Sequence, residues 1–103
     1  MDGKWTYLLV YSPLLGHYKK VRKFLDDCPQ ILNWFVCLPN TALIVSSDTA
    51  STLAELFRAR FPTGRFLILD TETDRNGYLP LKAWELMKKP RAAGEGLIPP
   101  ERT

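Results

Sequence analysis

The order of apolar segments along the chain is the feature that most constrains its fold. Four short segments are rich in branched and aromatic residues, which are typical of strands, and two longer segments repeat apolar residues at helical spacing. The predicted strands span residues 4–12, 31–38, 41–47 and 65–72, and the predicted helices span residues 17–28 and 50–61. This split βαβ order places both helices on one face of a four-stranded antiparallel sheet.

The segment order therefore predicts a ferredoxin-like α+β fold, and local signals agree with it. Pro39 and Asn40 suit a tight turn between the second and third strands, because proline fixes φ and asparagine tolerates the left-handed region. Asp48 is the predicted N-cap of the second helix. The middle strands are thus expected to form a hairpin that leads directly into that helix.

The C-terminal part predicts a short third helix followed by a tail. Pro80 suits the first position of this helix, because a proline there gives up no hydrogen bond that the helix needs. The apolar side of the helix carries Leu81, Trp84 and Met87. A chain of 103 residues fits one domain, which we place at residues 1–90, with a flexible tail at residues 91–103.

Composition and charge limit the classes of function without naming one. Fourteen Lys and Arg against eleven Asp and Glu give a net charge of +3, which is too mild to identify a partner. The sequence has no secretory signal and no apolar stretch of roughly 18 residues, so we expect a soluble, cytoplasmic protein with no membrane partner. Cys28 and Cys37 do not have the spacing of a zinc site, and we expect reduced thiols and no cofactor.

The face of the sheet that the two main helices leave open is the predicted interaction surface. We expect Leu8 and Val10 to point to the helices. The open face would then carry Trp5, Tyr7, Leu9 and Tyr11. Such an apolar face favours a homodimer, and the alternative is that the third helix folds over it. Base stacking by these aromatic side chains is disfavoured, because the third strand lacks the sequence run of RNA-recognition modules.

The first helix carries a basic cluster that is a candidate nucleic-acid site. The cluster consists of Lys19, Lys20, Arg22 and Lys23, and it could follow phosphates by charge attraction. Asp26 and Asp27 lie four residues after Arg22 and Lys23, so the alternative is a solvated helix face with internal ion pairs.

Acidic residues near the fourth strand are the candidate metal ligands. Asp70 and Glu72 are two residues apart and so fall on one face of the predicted strand. Together with a second copy of the chain, they could hold Mg²⁺ through oxygen ligands and water. Asp74 could add to them. Ser12 and His17 could form a hydroxyl-base contact, but no third group orients the histidine, so no catalytic residue is assigned.

Several segments together resemble one family of small proteins. They are Tyr7-Leu8-Leu9-Val10-Tyr11, Lys20-Val21-Arg22-Lys23-Phe24-Leu25, Trp34-Phe35-Val36, Ser47-Asp48-Thr49-Ala50-Ser51-Thr52-Leu53, Gly64-Arg65-Phe66-Leu67-Ile68-Leu69 and Gly77-Tyr78-Leu79-Pro80. Over roughly residues 5–81 the chain resembles the small ferredoxin-like superfamily of the CRISPR-associated Cas-two and SinR-like proteins. The resemblance implies the same fold and a dimer formed through the sheets.

The resemblance also implies a test of catalytic function at the end of the first strand. Catalytic members of that superfamily are metal-dependent nucleases with an Asp at this position, where the present chain has Ser12. A neutral hydroxyl does not replace a carboxylate as a Mg²⁺ anchor. We therefore expect a dimeric, non-catalytic binding or structural module that could bind nucleic acid. The alternative is a divergent Mg²⁺-dependent endonuclease acting on RNA or DNA.

Overall fold

The structure is a computed structural model that describes residues 3–12, 18–72, 77, 79–90 and 92. Its elements are β1 (Trp5–Tyr11), α1 (Tyr18–Asp27), β2 (Asn33–Leu38), β3 (Thr41–Ser46), α2 (Ala50–Arg60), β4 (Phe66–Asp70) and α3 (Leu81–Lys88). The strands form one antiparallel sheet in the order β2-β3-β1-β4. This α+β architecture confirms the predicted fold class and is compatible with a ferredoxin-like arrangement.

Turn and cap residues explain where the elements begin and end. Asn40 has φ 57° in the hairpin between β2 and β3, as its predicted turn role requires. The predicted N-cap is wrong by one residue: the Thr49 hydroxyl accepts a 3.2 Å hydrogen bond from the backbone N–H of Thr52. Asp48 instead donates its backbone N–H to the Ser46 hydroxyl, 3.0 Å away. The residue directly before the first helical turn is the one whose side chain reaches an unpaired N–H.

The first face of the sheet packs on α1 and α2 and holds the larger core. Four aromatic rings pack together there, with Phe57 against Phe24, Phe61 and Phe66 at centroid distances of 4.9, 6.4 and 5.5 Å. The buried residues of this cluster are Tyr7, Leu9, Tyr11, Val21, Leu25, Cys28, Ile31, Trp34, Ala42, Ile44, Leu53, Phe57 and Phe61.

This packing overturns the predicted facing of β1. Tyr7, Leu9 and Tyr11 were expected on the open face, yet they are buried against α1 and α2. Leu8 packs instead in the cluster on the opposite face. Side chains alternate along a strand, so a one-residue error in facing moves every side chain to the other face. Both faces of β1 are apolar, and the hydrophobic pattern could not choose between them.

The second face of the sheet is partly covered by α3. Ala83, Leu86 and Met87 of α3 form a buried cluster with sheet residues, which are Phe35, Leu43 and Val45. The Thr6 hydroxyl donates a buried 2.7 Å hydrogen bond to the Leu86 carbonyl, a group that the last turn of a helix leaves without an internal partner. The alternative expectation, that the third helix folds over the sheet, therefore holds for this part of the face.

Some of the predicted features lie outside the described residues. They are His17, Asp74 and all of the 91–103 tail except Ala92.

Candidate interaction surfaces

Three apolar side chains of β1 and β4 remain exposed on the second face beyond α3. Val10 is opposite Leu67 in the β1-β4 register, and Leu69 is opposite Leu8. Opposite residues share a face, so all four lie on the α3 side of the sheet. Val10, Leu67 and Leu69 are 38%, 54% and 45% exposed. We call these three side chains the uncovered strip.

The uncovered strip consists of other residues than those predicted from sequence for the dimer interface. Of the predicted residues, Tyr7, Leu9 and Tyr11 are at most 7% exposed and lie on the opposite face. Trp5 is partly exposed at the start of β1, and its place in the alternation puts it on the side of Tyr7. Leu67 and Leu69 were missed because β4 is apolar at four successive positions, so its sequence does not distinguish the covered side from the open one.

A second surface is an open groove of about 590 Å³ between α2 and β4, which we call the α2–β4 groove. Its helix wall is formed by Ala50, Ser51, Ala54 and Arg58, and its sheet wall by residues 64–68. Among the described residues that line the groove, Arg58 and Arg65 are the charged ones, and none is a carboxylate. Sequence reasoning missed this groove because it depends on how an edge strand sits beside a helix.

No described residue pairs with the backbone of β4 on the side that faces away from β1. The Ser12 N–H donates to the Arg65 carbonyl at 2.9 Å, and the Thr71 N–H donates to the Thr6 carbonyl at 3.3 Å. In an antiparallel pair, residues bonded to the partner strand alternate with residues whose N–H and C=O point away. Phe66 and Ile68 therefore direct both groups to the free edge, and no described strand lies beyond β4.

The basic cluster of α1 is exposed to solvent at three of its four residues. Lys19, Lys20 and Lys23 are exposed, whereas Arg22 is half-buried and its charge acts to lower the pKa of the Tyr11 hydroxyl. Lys23 forms the predicted ion pair with Asp27 at 3.0 Å. Asp26 accepts a 2.8 Å hydrogen bond from the Trp34 indole. Nucleic-acid binding by this cluster stays a prediction.

The acidic residues gather at the end of β4. Asp70 and Glu72 are exposed, and the Asp70 carboxylate accepts a 2.9 Å hydrogen bond from the Glu72 backbone N–H. Within the part of the chain that the structure describes, no group of three His, Cys, Asp or Glu residues could hold a metal ion. A Mg²⁺ site built on Asp70 and Glu72 stays a prediction.

Burial affects the protonation of three side chains. Burial raises the pKa of Tyr7, and the carboxylates of Asp70, Asp48 and Glu72 add to the rise. The Tyr7 hydroxyl donates a 2.8 Å hydrogen bond to the Asp48 carbonyl. Burial also raises the pKa of Tyr11, against the opposing charge of Arg22, and the pKa of the free thiol of Cys37.

The raised tyrosine pKa values predict a loss of stability in alkali. The unfolded chain releases tyrosine protons at a pKa of about 10, before the folded protein does, so the unfolded state binds fewer protons there. The free energy of unfolding should therefore fall as the pH rises above about 10. Ultraviolet titration of tyrosinate should show late ionisation of Tyr7 and Tyr11, and Tyr7→Phe should remove one late-ionising group. Four simultaneous titrations at the unfolded pKa would contradict the prediction.

Comparison with known proteins gives no functional assignment, so the fold, the uncovered strip and the α2–β4 groove are the basis for one. No protein-family model, curated protein or solved structure matches the chain. Within the described residues, no helix is long and apolar enough to cross a membrane.

Proposed function

We propose that the protein is a non-catalytic binding module that acts as a homodimer, with the two copies meeting across the uncovered strip. The observation that carries the proposal is the exposure of Val10, Leu67 and Leu69 side by side on the second face. The free energy falls when a partner removes the apolar surface of these side chains from water. A two-fold dimer uses the same patch on both copies, so one strip supplies both halves of the contact.

The uncovered strip alone is too small to form a stable interface, so further surface must surround it. A standard interface buries roughly 800 Å² on each partner, which is more than three partly exposed aliphatic side chains supply. The strip would therefore be the apolar centre of the contact, with exposed surface of α3 and of the strand ends as its rim. Leu81, which is 73% exposed at the start of α3, is an apolar side chain available for that rim.

The end of β1 supports a role other than catalysis. Ser12 stands where the resembled nucleases have their metal-binding Asp, and its backbone N–H bonds to the Arg65 carbonyl. A serine hydroxyl is a poor anchor for Mg²⁺, which is held in proteins mainly by carboxylates, phosphates and water. Dimer formation through the sheets agrees with the resemblance, although the surface proposed here differs from the one predicted from sequence.

Leu67→Glu should convert the dimer to a monomer. Burying an unpaired carboxylate costs several kcal/mol, so the dimer dissociation constant should rise at least about 100-fold. Sedimentation equilibrium should give twice the 11.8 kDa chain mass for the unmodified protein and the single chain mass for the variant.

Ala59→Glu is the matched control, because it adds the same charge at an exposed position of α2, away from the second face. It should leave the dimer intact. A monomeric unmodified protein at about 100 μM, or a Leu67→Glu variant that stays dimeric, would contradict the proposal.

A further inference from the structure

We propose that the α2–β4 groove binds an extended acidic peptide segment of another protein, which adds to the sheet as a further strand beside β4. This goes beyond the proposed dimer, because the groove lies beside α2 at the edge of the sheet and the side chains of the uncovered strip lie on the second face, with Leu67 as the residue that belongs to both. Three features of the groove, as the described residues form it, carry the inference: a backbone edge with no described partner strand, a helix wall of small side chains, and charged lining residues that are both arginines.

The backbone edge supplies the main-chain contacts. Phe66 and Ile68 line the groove and direct their N–H and C=O groups to the edge of the sheet, and added strands bind by completing such a ladder. Proteins usually protect an exposed edge with lysine, proline or a bulge. In β4 none of these occurs, and Asp70 at its end is its one charged residue. The edge is therefore open to pairing along the part that lines the groove.

The helix wall provides room for the side chains of such a peptide. Ala50, Ser51 and Ala54 are the residues of α2 that line the groove ahead of Arg58. Small side chains keep the helix surface low, so the space between α2 and β4 stays open at about 590 Å³. Alternate side chains of an added strand point to the same side and would lie in this space.

The charge of the lining selects the kind of peptide. Arg58 and Arg65 are both exposed, and neither forms an ion pair with a described residue. Because no described lining residue is a carboxylate, the two arginines attract a peptide with Asp or Glu, and the described walls do not repel it. Arginine also binds carboxylates through paired N–H donors, which favours a fixed peptide position.

Binding of a capped, fluorescent heptapeptide of alternating valine and glutamate tests the proposal. Fluorescence anisotropy should give a Kd below about 1 mM, whereas the alternating valine and lysine peptide should not bind. The double variant Arg58→Glu with Arg65→Glu should weaken binding at least about tenfold. Arg60→Glu, on the same helix but packed over Phe61 outside the groove, should retain binding. Ala54→Leu, which fills the groove without changing its charge, should also weaken binding.

Hydrogen exchange distinguishes strand addition from charge attraction alone. In the complex, the amide hydrogens of Phe66 and Ile68 should exchange more slowly, because they enter new hydrogen bonds. Sedimentation should show one peptide bound per chain, whether the chains are monomers or dimers. Failure of the proposed dimer would therefore not count against peptide binding. The proposal is overturned if the acidic peptide does not bind, if binding leaves these two amides unprotected, or if a single-stranded oligonucleotide displaces the peptide from the groove.

Discussion

Replacing Phe57 by alanine is expected to lower the free energy of unfolding by about 3–5 kcal/mol. Phe57 is fully buried and lies at the centre of the aromatic cluster that joins α1, α2 and β4. Its ring meets Phe24 edge to face at 83°, a favourable geometry that adds to the loss of buried area. Denaturation by urea, followed by circular dichroism, measures the change.

Phe66→Ala is the matched control for this prediction. Phe66 packs on the same ring of Phe57, but it is only partly buried at the edge of the cluster. Its removal leaves less empty volume, because solvent reaches the site, and the expected loss is about 1–2 kcal/mol. A loss at Phe57 no larger than the loss at Phe66 would show that the first face does not pack as described.

Replacing Leu43 by alanine is expected to lower the free energy of unfolding by about 3 kcal/mol or more. Leu43 is fully buried on the second face, in the cluster that includes Leu86 and Met87 of α3. If that face were open, truncating a leucine on it would cost little. The variant therefore measures whether α3 covers β3 in the folded protein.

Leu69→Ala provides the comparison on the same face. Leu69 is 45% exposed in the uncovered strip, and its truncation should cost less than about 1 kcal/mol in the monomer. Both variants should be measured at protein concentrations low enough to keep the chains monomeric, so that dimer formation does not contribute. Equal losses at Leu43 and Leu69 would contradict the partial cover by α3.

The element order could be predicted from sequence because turn residues separate the apolar segments. Pro39 and Asn40 divide β2 from β3, and Asn40 adopts the left-handed conformation expected of it. The facing of β1 could not be predicted, because Tyr7, Leu8 and Leu9 are all apolar and both faces of the sheet are covered at these three residues. The composition of a segment predicts that it forms a strand. Which of its side chains point to which face depends on the elements that pack on the two faces of the sheet.

The candidate surfaces were harder to predict than the fold for the same reason. Phe66 and Leu67 are adjacent and both apolar, yet one contacts the ring of Phe57 and the other is 54% exposed. The α2–β4 groove left one signal in the sequence: Ala50 and Ala54 lie one turn apart on a helix, where larger residues would close the space to β4. The two alanines indicate a groove only when the position of β4 beside α2 is known.

Contacts between copies at the uncovered strip provide the most direct test of the account. A sample that mixes isotope-labelled and unlabelled chains allows nuclear Overhauser effects between copies to be separated from those within one copy. We predict contacts between copies at the methyl groups of Val10, Leu67 and Leu69, with none at Leu9. Contacts between copies confined to other surfaces, or their absence at concentrations where the protein is dimeric, would contradict the proposed interface.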